Sequence, residues 1–526
     1  MAQGYLMIVL HAHLPYVRHL EHEHYLEERW LKEAITDCYI PLLRMMDKLQ
    51  YENIPFKLTM SLTPTLLSML NDSLLCQRYL KHINLLTELA EREKKRTENN
   101  PELNALAKMY RNLFYQARKE FEDTYRTNLI NGFRRHMESG NLEIITSGAT
   151  HGYFPLMEST RKSVRAQVMT ACQTHEHFFG RKPQGIWLPE CGYYPGDDKI
   201  LKENGIKYFF TDTHGILYAS PRPKYAVFAP VYCPSGTAAF ARDPESSKQV
   251  WSMSEGYPGD SDYREYYRDI GFDLDFGYVW PFIHPEGIRV NTGIKYYRIT
   301  GTTSDKELYN PARASAKAAL HAENFVDNRI KQINYLAELM DRKPLVVSPY
   351  DAELFGHWWF EGPQFLEQVI RKIAARSQEI QLVTPTEYLK IYPINQLTQP
   401  CMSSWGNNGY NDVWLEGKND WIYPHLHKAA ERMTELANEF PRSDGIRKRA
   451  LDQAVRELML AQSSDWAFIM KTGSMVEYAV YRTKLHLNQF NYLYRQIKEN
   501  QIDENYTAQL EQANNLFPNI DYAVFQ

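Results

Sequence analysis

The sequence predicts an α/β fold built around a parallel sheet, and two observations carry that prediction. Short β-rich runs recur at Tyr5–Leu10, Phe56–Leu62, Leu142–Ser147, Gly185–Leu188, Tyr208–Asp212, Leu345–Ser348 and Gln381–Thr384. Most are continuously apolar, as strands covered on both faces must be. Helical patterns lie between many of them, at Arg29–Lys48, Arg161–Phe179, Pro195–Asn204, Asn328–Met340 and Pro363–Arg376. Strand and helix in alternation imply a parallel sheet, as a barrel or as a doubly wound sheet.

Two regions break the rhythm. Residues 72–140 read as a helical insertion, charged and Leu/Tyr-spaced, with a breaker at Asn99-Asn100-Pro101. From about Asp420 the pattern is almost wholly helical, interrupted at Pro441–Gly445 and near Lys471–Gly473. Residues 232–300 are irregular and rich in Tyr, Asp, Pro and Gly, and such long loop regions usually serve function. The expected division is a barrel from 1–71 and 141–400, an insertion at 72–140, and a helical unit at 401–526 that completes the cleft.

Composition narrows the function. Hydrophobic residues make up 44% and charged residues 24%, with a formal charge of −4, so neither nucleic acid nor an anionic membrane is an expected partner. No run approaches the length of a membrane span, and the expected location is the cytoplasm. The six cysteines are scattered with no CxxC pair, as for reduced, packed thiols. The chain has 36 Tyr, 23 Phe and 10 Trp, enough for a large aromatic core or for a cleft lined with rings that stack on sugars.

In parallel barrels chemistry sits at the C-terminal strand ends. The first run ends in His11 and His13, the second in Ser61 and Thr63, and the third in Thr150 and His151. The fourth leads to Glu190, the fifth to Asp212 and His214, and the run near 345 to Asp351, Glu353 and His357. An HxH pair after a first strand is compatible with a metal, but no second close ligand pair completes a shell. Glu190 and Asp351 each follow a strand among Trp and Tyr, and two acids in an aromatic cleft are what glycosidic bond cleavage needs. A lone strand-end acid often only caps the next helix.

Five ordered blocks then resemble glycoside hydrolase family 57, and within it the group of 1,4-α-glucan branching enzymes and close relatives. They are HAHLPY (11–16), GATHGYFPL (148–156), WLPECGY (187–193), YDAELFGHWWFEGP (350–363) and WGNNGYNDVWLEGKNDWIY (405–423), with SSDWAF (463–468) in support. The resemblance implies an incomplete (β/α)7 barrel with inserted and C-terminal helical parts. It implies a retaining site with Glu190 as nucleophile and Asp351 as general acid/base. It also implies sugar contacts from His11, His13 and His151, stacking by Trp405 and Trp414 and, less directly, Trp30 and Trp280, and a substrate contact from Asp465. The expected partner is an α-glucan; no metal or organic cofactor is implied. The expected activity is 1,4-α-glucan branching, with an amylase-type hydrolase or 4-α-glucanotransferase as the alternative. A metallohydrolase and a non-catalytic glucan-binding protein are the readings from other classes. In the branching group a mobile loop with a tyrosine at its tip is associated with transfer. The corresponding stretch, 233–251, holds Phe240 and no Tyr, with Tyr232 just before it.

Overall fold

The computed structural model describes residues 2–252 and 255–526. Among the described residues nine strands form two sheets. In the first, β1 (Gly4–Ala12) pairs in parallel with β2 (Leu58–Leu62), β8 (Leu345–Asp351) and β9 (Ile380–Leu382), and β2 pairs in parallel with β3 (Leu142–Ile145). In the second, β4 (Gly185–Ile186), β5 (Tyr208–Thr211) and β7 (Ala238–Ala241) run parallel, and β6 (Val231–Tyr232) adds an antiparallel edge to β7. All nine residues of β1 are buried, which explains its unbroken apolar run.

Backbone bonds join the two sheets at both seams. Thr146 N donates to Gly185 O (3.3 Å) and Trp187 N to Thr146 O (2.8 Å), linking β3 to β4; Asp243 N donates to Val347 O (2.9 Å), linking the chain after β7 to β8. The order β8-β1-β2-β3-β4-β5-β7 therefore closes a ring of parallel strands, thinly stitched at the seams. This is the incomplete (β/α)7 barrel.

The helices follow their stop and start signals. Helix Arg161–Phe179 ends at Gly180, whose φ of 67° suits a residue without a side chain. The breaker Asn99-Asn100-Pro101 is a cap: Leu103 N donates to Asn100 Oδ1 (3.1 Å), and Pro101 opens helix Pro101–Lys119. This helix packs on helix Ser73–Arg96, itself capped by Asp72. The helix expected from Asn328 starts earlier, at Pro311, because Asn310 caps it and an Ala-rich turn precedes the apolar pattern. After Ile422 four long or medium helices follow, Ile422–Glu439, Gly445–Ala461, Ser464–Thr472 and Val476–Lys498, and then Glu504–Ala513. The segment read as irregular hides β6, β7 and helix Pro244–Trp251. The AAFA of β7 is small rather than β-branched, so it carries no strand signal. Among the described residues no helix is long and apolar enough to cross a membrane.

A buried polar chain ties the late helices to the early part of the sequence. His486 Nδ1 donates to Glu457 Oε2 (2.7 Å), and Gln453 and Asn514 donate to Glu457 Oε1 (2.7 and 2.8 Å). Arg482 Nη2 donates to His486 Nε2 (2.9 Å) and Arg482 Nη1 to the Tyr478 hydroxyl (2.8 Å), which lies 2.9 Å from His19 Nε2. His19 in turn is held by Glu28 and Arg78. Glu457 and His486 are fully buried, so losing one partner strands the other in a medium of low dielectric. Glu457→Ala should therefore destabilise the protein by about 3–5 kcal/mol, and Glu457→Gln by less; thermal or urea unfolding followed by circular dichroism reads the difference.

Candidate active site

Register places the first site residues. His11 of β1 sits beside Ser61 of β2 and beside Asp351 of β8, and residues in register on parallel strands share a face. The histidine and the acid are thus neighbours because the strands are. His151 and Glu190 are placed differently. Both have left-handed backbone, φ 57° and 61°, and Cys191 follows at 50°. A non-glycine residue in that region is costly and tends to be retained where function needs the direction it gives. The Glu190 turn is pinned from the block after residue 400, since Trp405 N donates to Glu190 O (3.0 Å).

These residues line one cleft of about 780 Å³. It holds His11, His13, His151, Glu190, Asp351, Trp405, Trp414 and Asp465 of the expected set. Trp280 is not among them: it is an exposed ring against Phe276, and Gly287 would clash with it if it carried a Cβ. Trp30 packs edge-on against Tyr478 instead of the cleft. Trp405 does more than offer a face, because its Nε1 donates to Glu190 Oε2 (2.7 Å). Trp414 is buried and stacks on Tyr153 at 4.3 Å.

Several strand-end polar groups turn out to be structural. Asp212 caps the helix Thr213–Leu217 and receives two bonds from Arg242, at 3.1 and 2.8 Å. His214 Nε2 donates to the Gly409 carbonyl (2.8 Å), and Thr150 bonds the Met459 carbonyl at 2.5 Å. His357 bridges Asp37 and the Tyr266 hydroxyl.

Other cleft residues escaped the sequence reading. Arg242 follows β7, the strand without a strand signal, and Trp251 lies on the next helix. Trp358, half exposed, stacks on Tyr266 at 4.5 Å. Glu353, which the strand-end reading did name beside Asp351 but gave no role, accepts from the Tyr39 hydroxyl (2.5 Å) and from His13 N (3.3 Å). Ser464 and Phe468 come from the SSDWAF block.

The cleft is wired by hydrogen bonds. Nε2 of His11 and His151 lie 3.0 Å apart, and His151 Nδ1 lies 2.9 Å from Ser464 Oγ. Ser464 Oγ also donates to Glu190 Oε1 (3.2 Å). His13 lies 3.1 Å from Thr63 Oγ1 through Nδ1 and donates through Nε2 to Asp465 (3.1 Å), whose Oδ2 also accepts from Ser463 (2.5 Å). Burial works against a charge on either partner of the His13–Asp465 pair. Their mutual attraction outweighs it, so His13 titrates above its ordinary value and Asp465 falls to about 2. His11 and His151 are pushed well below the usual range, by burial first and then by neighbouring imidazoles, and stay neutral. His11 Nδ1 is buried without a hydrogen-bond partner.

His13, His151 and Asp465 bring potential metal-ligand atoms within 4.8 Å of one another. Their orientation does not suit an ion. A metal lies in the plane of each imidazole that binds it, and the His13 and His151 rings are stacked face to face, 3.8 Å apart and inclined by 18°. Planes so nearly parallel have no common point inside the cluster.

The two carboxyls differ in affinity for protons. Burial raises Glu190 to about 7, against the opposing hydrogen bonds from Trp405 and Ser464. Burial also raises Asp351 well above the ordinary range, helped by the nearby Glu353 and Glu190 carboxylates and only partly offset by Arg242. Burial and the neighbouring carboxylates favour the protonated form of Asp351, while the bonds from Trp405 and Ser464 favour the ionised form of Glu190, a division suited to one acid and one carboxylate.

Comparison with known proteins gives the family. The family model for glycosyl hydrolase family 57 matches residues 7–400, and that for the C-terminal part of 1,4-alpha-glucan branching enzyme matches residues 425–525. The chain is similar to the crystal structure of an alpha-amylase, AmyC, from Thermotoga maritima, with 45% identity, a TM-score of 0.93 and 99% of each chain covered. It is similar to the structure of a branching enzyme from Pyrococcus horikoshii, with 32% identity, a TM-score of 0.89, and 99% and 97% covered. A 1,4-alpha-glucan branching enzyme of Thermococcus kodakarensis is 31% identical over 98% of this chain and 77% of its own length. The matched models, the relatives and a cleft with two unlike carboxyls lead to one conclusion: this chain is an enzyme of glycosyl hydrolase family 57.

Proposed function

We propose that the chain is a 1,4-α-glucan branching enzyme that works by retaining double displacement. The observation that carries this reading is the pair Glu190 and Asp351 in one cleft, the first bonded by groups that favour its carboxylate and the second raised by burial and neighbouring carboxylates. An α-1,4-glucan lies with its donor sugar against His11, His13, His151 and Asp465. Neutral imidazole offers one donor and one acceptor, which matches adjacent hydroxyls of a pyranose. Asp351 gives its proton to the glycosidic oxygen as the C1–O bond breaks, and the leaving chain departs with a free 4-hydroxyl. Glu190 attacks C1 from the opposite face and forms an ester. Asp351, now a carboxylate, takes the proton of an incoming 6-hydroxyl as its oxygen displaces Glu190. Two inversions restore the α configuration, now as an α-1,6 branch. Trp405 holds the Glu190 carboxylate in place and favours its ionised form through the 2.7 Å bond.

A second reading, hydrolysis, is favoured by the stretch 233–251. Its Phe240 is buried in the core, and the Tyr232 hydroxyl donates to the Pro393 carbonyl. Helix Pro244–Trp251 presents Pro244, Ser247, Lys248 and Trp251 to the cleft, and no tyrosine lines the cleft among the described residues. Met253 and Ser254, next in sequence, lie outside the described residues. Water in place of the 6-hydroxyl turns the same intermediate into a hydrolysed chain. Incubation with amylose separates the two: branching gives new α-1,6 anomeric protons in the NMR spectrum with few new reducing ends, whereas hydrolysis gives reducing ends and no branches.

The assignments of the acids are separable. Glu190→Ala and Asp351→Ala should each lower turnover of amylose by about 10³-fold or more. Azide should rescue both on an activated maltosyl substrate, with opposite products. It displaces the intact Glu190 ester in Asp351→Ala to give the α-azide, and replaces the missing nucleophile in Glu190→Ala to give the β-azide. The same configuration from both variants would overturn the assignment.

The acid limb of kcat/KM should have its midpoint near 7, where Glu190 ionises. Trp405→Phe removes a bond that stabilises the carboxylate, so the Glu190 pKa rises and that limb moves to higher pH. A pH–rate profile on a neutral maltooligosaccharide tests the direction.

A further inference from the structure

Away from the catalytic cleft, a groove of about 440 Å³ runs between helices Ile422–Glu439 and Val476–Lys498. Trp421, His425, Lys428 and Arg432 line one wall, at the spacing that puts side chains on a single helix face. Lys484, Asn488 and Asn491 line the other. No carboxylate lines the groove, although the chain as a whole carries a formal charge of −4.

The cations are positioned largely by neutral groups. Lys484 Nζ sits 5.7 Å above the Trp421 ring. Arg432 Nη1 donates to Asn491 Oδ1 (2.6 Å), and its guanidinium lies 5.0 Å over the Tyr494 ring. The acids nearby are engaged elsewhere. Glu431 pairs at 3.0 Å with Lys428, both more than half exposed, and Glu435 serves Lys498 and Tyr494. An exposed pair such as Lys428–Glu431 holds little energy and opens readily. Arg432 and Lys484 therefore face the groove with their charge uncompensated, one of them with a planar fork of donors suited to phosphate.

We infer that this groove binds the phosphate ester of a sugar, with the Arg432 guanidinium on the phosphate, Lys484 adding positive potential from the Trp421 end, and the Asn488 carboxamide beside the sugar hydroxyls. The volume favours a sugar phosphate over a bare anion, because small-molecule pockets run to about 300–1,000 Å³ and inorganic phosphate fills only a fraction of this one. The ester could be a free sugar phosphate or a phosphate carried on a glucan. The site stands apart from the branching reading, since none of its residues lines the cleft.

Isothermal titration of the full chain at low ionic strength tests it, with glucose 6-phosphate, phosphorylated maltodextrin, inorganic phosphate and maltose as probes. Saturable binding of glucose 6-phosphate supports the inference and identifies a free ligand; binding of phosphorylated maltodextrin alone supports it and identifies a glucan-borne one. The double variant Lys484→Gln/Arg432→Gln should weaken that binding by about tenfold or more, as expected for losing charge-assisted bonds, while activity on neutral amylose and the melting temperature stay unchanged. If the double variant melts early, the exposed Lys484→Gln alone carries the comparison. Inorganic phosphate binding as tightly as the sugar esters, binding of neither ester, or binding untouched by the substitutions would overturn the inference.

Discussion

The cleft depends on one charged contact, His13 with Asp465. Their side chains meet at 3.1 Å although 452 residues separate them in sequence. His13 stands just past the end of the first strand and Asp465 on a late helix, so the pair fastens the barrel rim to the helices after Ile422. Both groups are largely withdrawn from water, where a charge survives only if it is matched. Each favours the charged form of the other, and histidines 11 and 151, which burial drives toward the neutral form, stack beside them. Ser464, next to Asp465, reaches His151 and Glu190 at once. The register of that late helix thus sets the direction of the carboxylate that is proposed to attack.

Around this contact the site sorts two acids by environment instead of by residue type. Glu190 accepts from an indole and a hydroxyl, which lower its proton affinity against burial. Asp351 faces two carboxylates and a single guanidinium already shared with Asp212, which raises it further. The left-handed turn at Glu190 aims one of these groups, and the register of β1 with β8 aims the other. One device is a costly local conformation, and the other is a cheap consequence of sheet pairing.

The sequence displayed the parts of this arrangement that are local. Apolar runs marked the strands of the barrel, and helix Arg161–Phe179 was legible to the residue because Gly180 stops it. The strand ends displayed His11, His13, Glu190 and Asp351. What stayed hidden was long-range or atypical. β7 is spelled AAFA, so Arg242 and Trp251 behind it were read as loop. Trp280 looked like other exposed-ring candidates, and only the fold shows that it packs on Phe276 outside the cleft. The structural duties of Asp212 and His214 rest on partners thirty and nearly two hundred positions away, which no local pattern reveals.

The contact between His13 and Asp465 also orders events in time. On the ribosome, the strands, Glu190 and Asp351 are all made before the helix that completes the donor side. Until then the chain lacks Ser464 and Asp465, so His13 has no acid beside it and the Glu190 turn lacks its hydroxyl donor. The site is therefore complete only once the helix from Ser464 has been made and docks. A chain truncated ahead of that helix lacks both the acid beside His13 and the hydroxyl donor to Glu190.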